Sequence, residues 1–196
     1  MMRAYQIPLD GSPRRFRNPR DGDWYVQVTQ GETYVTNRDD EVLTTVLGSC
    51  VSACIRDPLL KMGGMNHFLL PDSDATGRDS QRYGAHAMEL LINEILKRGG
   101  VRQRLVAKIF GGASVISSVS EIGMRNAAFA RRYLLEEGIR LVGGDVGGAH
   151  ARRIQYWPAS GRVRQLAISA DVRPIIEHEV KNARSIGEDT DDVDLF

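Results

Sequence analysis

Thiols are scarce in this chain. Two cysteines, Cys50 and Cys54, occur in 196 residues, too few for a disulfide scaffold or a four-ligand zinc site. In a reducing compartment each is expected to be a thiol. An excess of charge is missing as well, since 26 Lys+Arg face 25 Asp+Glu for a net charge of +1, which gives no case for nucleic acid as the main partner. No uncharged apolar run approaches the roughly 20 residues of a membrane span, and residues 1–8 show no apolar core leading to a small-residue cleavage site. No membrane insertion is expected, and the cytoplasm is the expected place of work. What is present is ordinary for a globular protein, 42% hydrophobic and 26% charged residues, in a length that usually makes one domain.

Charge is unevenly spread. Arg3, Arg14, Arg15, Arg17 and Arg20 stand against Asp10 alone at the start, and Glu188, Asp189, Asp191, Asp192 and Asp194 have no base among them at the end. Both ends are poor in apolar residues, so neither can offset its ordering entropy by burial. Residues 1–22 and 181–196 are therefore expected to be mobile tails around a single domain at 23–180.

Within that domain, residues 26–28 and 33–35 read as strands around Gln30-Gly31-Glu32. A long apolar stretch at 42–55 is interrupted by Gly48-Ser49, and 65–70 is the next. Met88, Leu91, Ile92, Ile95 and Leu96 repeat at helical spacing, and Lys97-Arg98 with Gly99-Gly100 supply terminal charge and a stop. Residues 105–110 read as a buried strand, 126–137 as a second helix ended by Gly138, and 139–142 as a strand. The segments 153–157 and 163–169 flank Pro158-Ala159-Ser160-Gly161 like the arms of a hairpin. The fold class is α+β or α/β with extensive sheet and two main amphipathic helices.

The chemistry concentrates at Leu47-Gly48-Ser49-Cys50 and Asn66-His67. A cysteine after Gly-Ser at an interrupted strand can turn its sulfur and its own N–H toward one spot, as a nucleophile with an oxyanion donor requires. Asp57-Pro58-Leu59-Leu60 reads as a turn, and a hairpin about it pairs residues whose numbers sum to 117. That register sets Cys50 opposite His67 on one face, in reach of a thiol–imidazole hydrogen bond. A slip of one residue would part them. The alternative is a core thiol and a core histidine, and the residues alone leave both open. Cys54 is read as packing. Gly111-Gly112, Gly143-Gly144 and Gly147-Gly148 lack phosphate-loop spacing and suit tight turns or close backbone approach. His86, His150 and His178 have no partner at ligand spacing, so neither metal nor cofactor is expected.

The strings Leu47-Gly-Ser-Cys-Val51, Gly63-Gly-Met-Asn-His-Phe-Leu-Leu-Pro71, Tyr83-Gly and Ala87-Met88 resemble the CheD chemoreceptor glutamine deamidases of bacterial and archaeal chemotaxis. Lys108-Ile-Phe-Gly-Gly-Ala113, Ile122-Gly-Met-Arg-Asn126 and Asp145-Val-Gly-Gly148 are similar to the family's later motifs. After Gly148 the chain reads Ala149-His150-Ala151-Arg152, where the family continues with a polar residue, arginine and glycine. The resemblance implies a layered α/β sandwich with mixed sheets, Cys50 as nucleophile, His67 as general base and Thr44 as the third member that positions the histidine. It implies conversion of receptor glutamines to glutamate with release of ammonia, without a cofactor. The implied partners are chemoreceptor cytoplasmic helices and a CheC-type phosphatase, with recruitment to membrane receptor arrays. Rival readings are a non-catalytic module binding the phosphatase or receptors, and a cysteine hydrolase of receptor methyl esters or small amides.

Overall fold

A computed structural model describes residues 14–70, 78–114 and 120–168. Ten strands form two five-stranded mixed sheets. The first has the order β1 (Arg14–Arg17), β2 (Trp24–Gln27), β4 (Glu41–Leu47), β9 (Arg152–Trp157) and β10 (Arg162–Ala167). The second has the order β3 (Thr33–Thr36), β6 (Met62–Asn66), β5 (Val51–Asp57), β7 (Val106–Gly111) and β8 (Arg140–Val146). Only β2–β4 and β7–β8 run parallel. Helices α1 (Arg78–Lys97) and α2 (Ser120–Glu136) both pack on the second sheet, giving three layers of sheet, sheet and helices. This is the expected layered α+β sandwich with two amphipathic helices.

Strand alternation explains the layering. In β5, Val51, Ala53 and Ile55 join the core beneath the helices, while Cys54 and the preceding Cys50 join the core between the sheets. Successive strand residues point to opposite faces, and a strand covered on both sides reads as one apolar run. Facing Cys54 between the sheets are Val26, Leu43, Ile154 and Tyr156 of the first sheet. Under the helices, Met88, Leu91, Ile92 and Ile95 bury the stripe that the sequence spacing foretold.

Several expectations change. Arg14–Arg17 is not a tail but an edge strand paired antiparallel with β2. Arg15 forms an ion pair with the buried Glu41 at 2.6 Å, and Phe16 stacks on Tyr25, so partners outside the segment supply what its own composition lacks. Residues 1–13 and 169–196, with the acidic tail, lie outside the described residues. The turn at Gln30-Gly31-Glu32 does not join two paired strands but carries the chain from one sheet to the other. Helix α2 begins at Ser120 instead of 126, and Gly123 lies within its first turn, where the helix meets the loop after β7. A Cβ there would lie 2.6 Å from the Gly112 carbonyl oxygen. Gly143-Gly144 sits inside β8 beside a register shift against β7, where it serves close backbone approach and not a turn, since a Cβ on Gly144 would lie 2.1 Å from the Ile109 oxygen. Among the described residues no helix is long and apolar enough to cross a membrane.

Candidate active site

Cys50 lies where the chain leaves the first sheet at Leu47 and enters the second at Val51, and it is fully buried. Three successive carbonyls of this turn are held from one side. Ala113 N–H donates to the Gly48 oxygen at 2.8 Å, Asn126 Nδ2 to the Ser49 oxygen at 2.8 Å, and Gly112 N–H to the Cys50 oxygen at 2.7 Å. In a trans peptide the N–H points opposite to the carbonyl before it, and no described peptide is cis. The N–H groups of Ser49 and Cys50 are thus turned away from the backing loop. Gly111 permits the close approach, since a Cβ there would lie 2.1 Å from the Cys50 oxygen at a φ of 104°.

His67 follows β6 and is anchored on both sides, its N–H donating to the Glu32 oxygen and its own oxygen accepting from Gly31 N–H. The β5–β6 register differs from the expected one. Asp57 pairs with Met62, Cys54 with Met65, and Val51 with Phe68, so paired numbers sum to 119 and Cys50 does not stand directly opposite His67. The loop is two residues longer than the expected turn because Asp57 Oδ1 accepts from the N–H of Leu59 and Leu60 and Lys61 takes a left-handed φ of 50°. A change of two in the sum preserves the face. Cys50 and His67 therefore remain on the inter-sheet side as diagonal neighbours, a separation of about 7–8 Å between backbones that long or ring side chains span.

Thr44 is not the residue that meets the histidine. Thr45 Oγ1 lies 2.9 Å from His67 Nδ1. On β4, Leu43, Thr45 and Leu47 point between the sheets, and Thr44 points to the opposite face, beside its ladder partners Gln27 and Gln155. Thr44 lines an open groove of about 410 Å³ with Tyr25, Val46 and Arg153. The resemblance implies Thr44, whereas the hydroxyl within hydrogen-bond reach of His67 belongs to the next residue of the strand, Thr45.

Burial controls the electrostatics. It pushes the His67 ring down from 6.5 to about 4, and the nearby Val28 backbone only partly opposes this, so the imidazole is neutral at neutral pH. Burial likewise raises the Cys54 thiol far above its ordinary range, which leaves it an inert packing group. Neither cysteine is in a disulfide.

Two residues that sequence reading left without a role stand at the site. Asn126, fully buried on α2, also accepts from Leu70 N–H at 2.9 Å. Tyr83 on α1 brings its hydroxyl close to Gly31, 3.8 Å from where a Cβ would stand. Burial raises its pKa, and the proximity of Cys50 raises it further. Both residues fall in the motifs Ile122–Asn126 and Tyr83-Gly84, which were the available signal. Away from the site, Arg152 holds the Gly147-Gly148 turn through the Asp145 and Gly147 oxygens. His86 and His150 are exposed, and His178 lies outside the described residues.

The family model for CheD chemotactic sensory transduction matches residues 69–166. A Caulobacter vibrioides protein called a probable chemoreceptor glutamine deamidase CheD is 58% identical over 151 residues, covering 76% of this chain and 81% of that one. Proteins with the same name from Sinorhizobium medicae and Caulobacter sp. strain K31 are 58% identical over 147 residues (74% and 80%) and 51% over 173 residues (87% and 92%). A solved Neisseria meningitidis structure aligns at 12% identity over 64% of each chain with a TM-score of 0.42, too distant to bear on fold or function. With relatives at this identity over most of their length, and the family's motifs on both sides of the Cys50 turn, the chain belongs to the CheD family.

Proposed function

We propose that this protein deamidates selected glutamine side chains of chemoreceptors to glutamate through a thioester on Cys50. The observation that carries the reading is a thiol and a neutral, hydroxyl-anchored imidazole on one inter-sheet face, beside a turn with its N–H groups preset, in a chain with CheD deamidase relatives. With Nδ1–H donating to Thr45 Oγ1, His67 offers its Nε2 lone pair as the base. Nε2 takes the Cys50 proton as sulfur adds to the carboxamide carbon, and the Ser49 and Cys50 N–H groups receive the oxyanion. The imidazolium returns that proton to the leaving nitrogen, and ammonia departs. Water, deprotonated by His67, then cleaves the thioester to release glutamate and restore the thiol. Each cycle consumes one water and releases one ammonia.

A hydroxyl orients an imidazole less strongly than a carboxylate does, so selectivity rests on docking to receptor helices. The reading places the protein in the cytoplasm, recruited to receptor arrays. By family resemblance, a CheC-type phosphatase is a second partner that competes for receptor-binding surface.

Receptor cytoplasmic fragments from the same cell, incubated with the native protein or with Cys50→Ala, test the reading by mass spectrometry. Each Gln→Glu conversion adds roughly one dalton, since NH2 is replaced by OH, and peptide mapping locates it. A shift that needs Cys50 supports the deamidase. Receptor binding without a shift favours a regulatory module, and a shift that survives Cys50→Ala removes the thioester.

A further inference from the structure

The Asn126 side chain ties the Cys50 turn to the segment following His67. It is fully buried, donates from Nδ2 to the Ser49 oxygen at 2.8 Å and accepts at Oδ1 from Leu70 N–H at 2.9 Å. The two partners fix the orientation of the amide, because a carbonyl can only accept and an N–H can only donate. Aspartate, serine or leucine cannot satisfy both at this reach at neutral pH. The Ser49 carbonyl belongs to the same peptide plane as the Cys50 N–H, so whatever holds that oxygen aims that N–H. Ala113 and Gly112 hold the carbonyls on either side, and those two residues in turn rest against Gly123, one helical turn before Asn126. The first turns of α2 thus form a backing plate for the nucleophile turn.

We infer that Asn126 is a positioning residue that sets the oxyanion-binding direction of the Cys50 N–H and couples it to the segment that follows His67. The inference rests on the reading of Cys50 as nucleophile. Displacing a preset donor affects the tetrahedral intermediate more than substrate binding, and misplacement by an ångström can cost roughly 100-fold in rate. Alkylation of the same sulfur by iodoacetamide needs no oxyanion donor. The two reactions of one thiol therefore separate positioning from general loosening of the fold.

The test is Asn126→Asp in the whole protein, assayed on receptor fragment with kcat, KM, Cys50 alkylation rate and thermal unfolding measured together. At pH 8 the introduced carboxylate repels the Ser49 oxygen, so kcat is expected to fall roughly 100-fold, with KM and alkylation near native. As pH falls the carboxyl gains a proton that it can donate to Ser49, so the deficit relative to native shrinks. A kcat within about threefold of native, or a loss shared equally by alkylation and independent of pH, overturns the inference. Should this variant fail to fold, Asn126→Ala below its own melting temperature carries the same comparison of turnover with alkylation. Cys50→Ala runs beside them: if it stays active the thioester reading fails, whereas an inactive Cys50→Ala with a fully active Asn126→Asp sinks only the positioning role.

Discussion

Thr45 Oγ1 stands 2.9 Å from His67 Nδ1 across the gap between the two sheets, while Thr44 faces the other side of the same strand. The two threonines differ in nothing but strand parity. Thr45→Val removes the hydroxyl at nearly constant volume and is expected to lower kcat roughly 10-fold, the worth of one buried hydrogen bond. Thr44→Val is expected to leave turnover within about twofold, and Thr45→Ser to restore most of it. Initial rates of ammonia release on receptor fragment decide the matter. The opposite ranking would return the role to Thr44.

His67 gives a pH dependence with a definite sign. Burial lowers its pKa from 6.5 to about 4, so between those values the unfolded chain binds a proton that the native protein does not. Stability from this group is complete above about pH 6.5, declines as pH falls, and levels off below about pH 4. The loss approaches about 3 kcal/mol at full extent. Urea midpoints of the native protein and His67→Gln at pH 7 and 4.5 measure it. The replacement should flatten the slope across that window, and equal slopes would mean that the ring titrates in the native state much as it does in water.

How far the sequence reaches is visible in these same residues. Met88 to Ile95 specify α1 because helical spacing is local, and the β9–β10 hairpin follows from its own turn residues. Cys50 and His67 come to one face even though the expected register is wrong, because the longer loop changes the sum of paired numbers by two and not by one. That loop length depends on the Asp57 side chain binding Leu59 and Leu60, which a turn read from residue types does not count. Thr45 was illegible because the parity of β4 is fixed by packing against the second sheet. Arg14–Arg17 was illegible because its strand is secured by partners outside the segment, stacking on Tyr25 across β2 and an ion pair to Glu41 of β4, which its own composition does not announce. Local patterns are written in the sequence, whereas choices settled by another layer of the fold are not.

Asp57, at the far end of β5 from Cys50, tests whether stability and chemistry can be separated. Its buried carboxylate accepts from Arg104 Nη2 at 2.6 Å and from Val101 N–H at 3.1 Å. Burial alone would raise its pKa, but Arg104 and the N–H groups of Val101, Leu60 and Leu59 outweigh that and hold it below the ordinary value. This stability is present above the unfolded pKa near 4 and is lost as pH falls through the lower folded value. Arg104→Ala should cost about 2–3 kcal/mol at pH 7, less than for a wholly buried pair because the guanidinium is one-third exposed. The site lies seven strand residues away, about 23 Å, so kcat below the melting temperature should match native. A matching loss of kcat would show that the far turn sets the register of the Cys50 end.

The proposed reaction also requires access to the sulfur. Cys50 is fully buried, yet the proposed reaction brings a glutamine side chain to its sulfur, so some group must give way. Tyr83 is the candidate, being half-buried on α1 with its hydroxyl against Gly31 and close enough to Cys50 to feel its charge. Trimming the ring should open a path without touching the turn that carries the thiol. Tyr83→Ala is expected to speed alkylation of Cys50 by iodoacetamide roughly 10-fold, whereas Tyr83→Phe, which keeps the ring, should alkylate at close to the native rate. Such a change corresponds to little more than 1 kcal/mol in the cost of exposing the sulfur, well within what one aromatic contact supplies. Peptide mapping after timed alkylation reads the two rates and separates Cys50 from Cys54, whose raised pKa keeps it unreactive. If Tyr83→Ala alkylates no faster than native, the cover over the sulfur lies elsewhere and substrate enters from another side of the turn.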